Sequence, residues 1–128
     1  AAESGYAGAK VLMQLQEPPT AIFCFNDRAA MGAYDALREM GFVVPRDIAI
    51  VGFDNQEIIA AHLRPGLTTL QLPHYEMGAW AVNYLLRKPY DLPPHGLASA
   101  PPQVQLPCPL ILRESHGTRR EEVQRSST

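Results

Sequence analysis

Two apolar runs of strand length, "AIFCF" at 21–25 and "IAIVGF" at 48–53, each end in a polar pair, Asn26-Asp27 and Asp54-Asn55. Between them, Ala30, Ala33, Leu37 and Met40 recur at helical spacing, with Arg28, Asp35, Arg38 and Glu39 on the other side. Apolar residues three and four apart form one stripe on a helix. Gly41 stands where a helix commonly stops. Strand, helix and strand with short connections make a βαβ unit, whose crossover forces the strands parallel. The fold class is therefore α/β: a parallel sheet with flanking helices. Unbroken apolar runs are typical of strands covered on both faces, so helices are expected on both sides.

The flanking segments extend this pattern. From Glu3 to Gln16, Tyr6, Ala9, Leu12 and Met13 keep helical spacing, with Ser4 available as a cap, until Pro18 and Pro19 end the helix. "LTTLQL" at 67–72 reads as a third strand and residues 73–87 as a helix with Met77, Trp80, Ala81, Tyr84 and Leu85 on its stripe. Pro73 suits the first turn of that helix. Residues 88–103 are proline-rich and aperiodic, a loop. A last strand is expected near 104–112, at an edge because of Pro107 and Pro109. Residues 114–128 are polar and charged, and a disordered tail is expected there.

Composition narrows the partners. The 128 residues are 46% hydrophobic with a formal net charge of -2, enough apolar content for one real core. No excess of positive charge marks a surface for a nucleic-acid backbone. Cys24 lies inside an apolar run, far from Cys108, which reads as a buried free thiol in a reducing, cytoplasmic setting. No run is long and apolar enough to span a membrane. The four histidines, His62, His74, His95 and His116, show no metal-ligand spacing, and no serine sits in a nucleophile elbow. No cofactor, metal site or catalytic residue is therefore expected.

The carboxyl ends of parallel strands form the crevice where open α/β sheets bind ligands. Asn26 and Asp54 lie at two such ends, roughly 4.8 Å apart if the strands are neighbours. An amide and a carboxylate suit a hydroxyl-rich small molecule, and Phe23, Phe25 and Phe53 offer apolar faces. The same residues have structural uses. Asn26 or Asp27 can cap the helix, Asp54-Asn55 can form a turn, and Phe23 and Phe25 can belong to the core.

The segment from Pro18 to Leu86 contains "FNDRAAMGA", "MGFVVPRDIAIVGFDN" and "PGLTTLQLP" followed by a helix with "MG". In that order and spacing it resembles the C-terminal region of the LacI/GalR family of bacterial transcription regulators. The resemblance implies part of a two-lobed, type I periplasmic-binding-protein fold with a small effector, often a sugar or nucleobase, in the cleft. It implies operator DNA bound only through an N-terminal helix-turn-helix absent here, and a homodimeric full-length protein. Asn26 and Asp54 would be polar effector contacts and Phe23 a pocket wall. Residues 1–113 would form a partial effector domain. About 1–70 and 104–113 would belong to the C-terminal lobe, and the helix at 73–87 to the N-terminal lobe. Relatives commonly place a glutamine where this chain has Leu72, with Gln71 one residue earlier on the opposite face of the strand. A sugar-binding component of a transport system shares the fold and is the alternative. An enzyme using Asp27 or Asp54 comes third, since no lysine or metal partner motif accompanies them.

Overall fold

The computed structural model describes residues 1–87 and 103–117. The loop expected at 88–103 lies almost wholly outside the described residues, as does the sequence after 117. The elements are α1 (Ala2–Met13), β1 (Ala21–Phe23), α2 (Asp27–Glu39), β2 (Ala49–Asp54), α3 (Glu57–Ala60), β3 (Thr68–Gln71), α4 (His74–Arg87) and β4 (Leu110–Ile111). They form two compact units: Ala1–Gln71 together with the chain from Leu110, and Leu72–Pro109.

In the first unit the sheet order is β1-β2-β3-β4. β1, β2 and β3 are parallel, in the register Phe23↔Val51↔Thr68, and β4 returns antiparallel to β3. The sheet is thus mixed. The last strand has shrunk from the expected 104–112 to Leu110–Ile111 at the edge, because Pro107 and Pro109 lack the N–H groups a ladder needs.

α2 lies on the sheet and is held at both ends. The Ala29 N–H donates to Asn26 Oδ1 at 2.8 Å, which makes Asn26 the cap. At the other end Gly41 adopts φ 82°, and the Phe42 N–H returns to the Leu37 carbonyl at 2.9 Å. Ala30, Ala33, Ala36 and Leu37 face the core with Ile48, Ile50 and Leu67. A side chain such as Leu37 contributes about 1.5–3 kcal/mol by that burial.

α1 packs closely against α2. A Cβ on Gly5 would run into the Ala29 carbonyl, and one on Gly32 into the Ala2 carbonyl. The outer end of the pair is tied by Tyr6, whose hydroxyl donates to Glu39, and by Lys10, 3.2 Å from the same carboxylate. Ser4, expected to cap α1, instead donates to the Ala1 carbonyl at 2.8 Å.

The strands are not covered equally. Ile50 and Gly52 are buried beneath α2, whereas Val51 and Phe53 on the other face are half-buried, and Phe23 is 63% exposed. Cover on both faces was expected from the apolar runs; the Ile50–Gly52 face is the better packed, while on the other face Thr68 of β3 is buried and Phe23 of β1 is exposed. The expected tail also begins too early at 114. Ser115 is fully buried, its Oγ donating to the Ile50 carbonyl at 2.6 Å and accepting from the Thr68 N–H at 2.8 Å.

The second unit contains α4, in which Trp80 and Tyr84 stack with ring centroids 5.4 Å apart. Tyr75, Leu85 and Leu86 on this helix are exposed.

Candidate functional site

β1 and β2 are neighbours, so Asn26, three residues beyond Phe23, and Asp54, three beyond Val51, leave the sheet at one end and one level. Asn26 is half-buried in an extended conformation, with its Oδ1 committed to the cap. Its Nδ2 donates to nothing among the described residues and remains available to a ligand. Capping uses the Oδ1 of this amide and leaves its Nδ2 hydrogens unspent.

Asp54 closes β2 with φ 109°, and Asn55 follows at φ 53°. Two consecutive non-glycine residues at positive φ are unusual, and such backbones persist only where surrounding contacts hold them. Four contacts do so here. Gln56 Nε2 donates to Asp54 Oδ2 at 3.1 Å, and the Gln56 N–H donates to Asp27 Oδ2 at 2.7 Å. Arg113 donates to Asn55 Oδ1 at 2.9 Å, and Asn55 Nδ2 reaches Gln71 Oε1 at 3.5 Å. Gln71 is the register partner of Asp54 on β3, and it joins the polar cluster from the exposed side.

Asp27 is fully buried. It does not cap α2. Its Oδ1 accepts from Thr69 Oγ1 at 2.6 Å, which leaves both carboxylate oxygens engaged, by β3 and by the loop after β2. Gly52 makes room for it, since a Cβ there would collide with Asp27 Oδ1 and Leu67. Burial pushes the Asp27 carboxyl above its ordinary value, against the bonds from Thr69 and Gln56 that lower it. With both oxygens used inside the fold, Asp27 is poorly placed as a phosphoacceptor or a general base. Burial, with the Asp27 charge nearby, raises the Cys24 thiol to about 11, so it is an inert core thiol at neutral pH.

Phe23 is placed differently. It lines an apolar groove of about 290 Å³ with Leu12, Ile22, Cys24, Phe25 and Ala33, and neither Asn26 nor Asp54 lines that groove. Among the described residues no three His, Cys, Asp or Glu side chains are grouped to hold a metal ion, and no helix is long and apolar enough to cross a membrane.

Sequence reasoning named Asn26 and Asp54 and passed over Gln56 and Arg113, which the structure brings into the same polar cluster. Arg113 is 58 positions from the asparagine it binds, and no local pattern carries such a contact. The sequence offers Asp27 only as an alternative cap to Asn26 or, in the third-ranked reading, as an enzyme carboxylate. A buried carboxylate facing a threonine one strand away leaves no trace in periodicity.

A family model for a periplasmic binding protein-like domain matches residues 1–116. The ribose operon repressor of Haemophilus influenzae is 40% identical over 86 residues, 67% of this chain and 26% of the repressor. The HTH-type transcriptional repressor PurR of Klebsiella pneumoniae is 44% identical over 84 residues, 66% of this chain and 24% of that protein. A LacI family transcriptional regulator from Enterococcus faecalis, solved with bound ribose, superposes with a TM-score of 0.72 at 30% identity, covering 90% of this chain and 40% of its own. The chain thus spans about a quarter of the length of the curated relatives it matches.

Proposed function

Since the chain belongs to the periplasmic binding protein-like family, in the form found in LacI-type transcription regulators, we propose that it senses a small, hydroxyl-rich effector, a sugar. Asn26 and Asp54 are the polar contacts; Phe23, exposed at the end of β1 and lining a separate groove, is an apolar wall on the family resemblance alone. The observation that carries this reading is the braced strand end: Asp54 at φ 109° beside Asn26, with the Asn26 Nδ2 unspent. The ribose bound in the Enterococcus faecalis relative supports a sugar as the ligand class.

On this reading the protein is a regulator and not an enzyme. It works in the cytoplasm as a homodimer and holds operator DNA through a helix-turn-helix outside this chain. The chain's own net charge of -2 gives it no electrostatic hold on a duplex. Residues up to about 70 and the strand near 110 form one lobe, and α4 belongs to the other.

A thermal-shift panel of pentoses, hexoses, nucleosides and nucleobases on the intact regulator tests the ligand class. A ligand at a hundred times its Kd adds about 2.7 kcal/mol of stability. The expected result is a raised midpoint with one or a few sugars. A panel in which only nucleobases raise it would sink the sugar reading, and a panel with no response would sink the sensor reading.

A further inference from the structure

We propose that Arg113 is a positioning residue for the Asp54 ligand contact, acting through Asn55. The inference rests on the effector reading above and deepens it. Arg113 follows β4, and its guanidinium spans two places that are separate in sequence: Nη1 donates to the Leu67 carbonyl at 2.8 Å and Nη2 to Asn55 Oδ1 at 2.9 Å. Its own N–H donates to Thr68 Oγ1 at 2.8 Å, which fixes the base of the side chain against β3. A Cβ on Gly66 would run into Glu114 Oε2 and come within 3.3 Å of Arg113 Cδ, so Gly66 leaves room for both side chains.

The planar fork of an arginine holds two acceptors in fixed relation, here the start of β3 and the residue after Asp54. Asn55 sits at φ 53° and Asp54 at φ 109°, conformations that a free chain seldom keeps. Asp27 holds the following N–H from inside the fold, at Gln56. Arg113 holds Asn55 from the opposite strand edge. With the loop fixed on both sides, the Asp54 carboxylate is presented in one orientation. Such preorganisation lowers the ordering cost of binding.

Amide hydrogen exchange on the intact protein, comparing Arg113→Ala, Asn55→Gly and the double variant, tests this. Glycine accepts φ 53° without strain, so Asn55→Gly removes the tie and not the turn. Loss of a hydrogen bond from a charged donor is expected to speed exchange of the Gln56 N–H about tenfold or more. Both single variants should show this while Ile50 and Leu67 keep their protection, and the double variant should add little. Unchanged exchange at Gln56 in Arg113→Ala would overturn the proposal, as would equal acceleration at Ile50 and Leu67. The measurement needs no ligand, so its failure is distinct from failure of the effector reading, which a D-ribose titration of the unaltered protein addresses.

Discussion

Asn26 and Asp27 are adjacent polar residues at one helix start, and the fold uses them in opposite directions. The Asn26 side chain points along the helix to the Ala29 N–H, while the Asp27 carboxylate turns inward to Thr69 and the Gln56 N–H. Asn26→Ala is expected to cost about 1 kcal/mol in denaturant unfolding, the usual effect of losing a cap. Asp27 gives a pH signature of definite sign. Its folded carboxyl titrates above the ordinary 3.8 because burial outweighs the bonds that lower it. The folded state therefore binds this proton more tightly than the unfolded chain, and its contribution to stability is full below 3.8 and lost as pH rises through the raised value. Asp27→Asn keeps the shape, with the amide donating to Thr69 and its oxygen accepting from Gln56, and should flatten that part of the stability–pH curve. Unfolding midpoints measured from pH 3 to 7 check it, and an unchanged slope would contradict the assignment.

At the level of elements, the strand–helix–strand order was legible because one periodicity change follows another between residues 21 and 54. The α2 boundaries follow from local chemistry, the Asn26 cap and Gly41 at φ 82°. Coverage of the sheet was not legible. An apolar residue such as Phe23 satisfies strand propensity whether or not anything packs on it, so the run gave no warning of its exposure. The short α3 was also missed, since "EIIA" is less than two turns and carries no period. Nor does anything near Ser115 show that its hydroxyl joins β2 to β3. Removing it leaves the buried Thr68 N–H and Ile50 carbonyl without that partner. Ser115→Ala is accordingly expected to cost about 1–3 kcal/mol. The α1–α2 contact depends on glycine, and main chain cannot yield to a new Cβ. Gly32→Ala should destabilise by about 1–3 kcal/mol, read as a lower midpoint in urea. A midpoint equal to that of the unaltered protein would mean that the helices move apart freely.

For the molecule as a whole, the polar cluster at the strand ends is supported from β1, β2, β3 and the chain after β4, so the candidate site draws on the whole first unit. DNA binding is expected to lie elsewhere, and residues 1–128 alone should leave an operator duplex unshifted at moderate salt. A sequence-selective, salt-resistant shift would contradict that. The central claim is that Asp54 touches the effector. Calorimetric titration of the intact protein with the stabilising ligand, comparing the unaltered protein with Asp54→Ala, tests it most directly. Losing a hydrogen bond to a charged group should weaken affinity about tenfold or more. Unchanged affinity together with a lowered unfolding midpoint would show that Asp54 serves only the turn after β2.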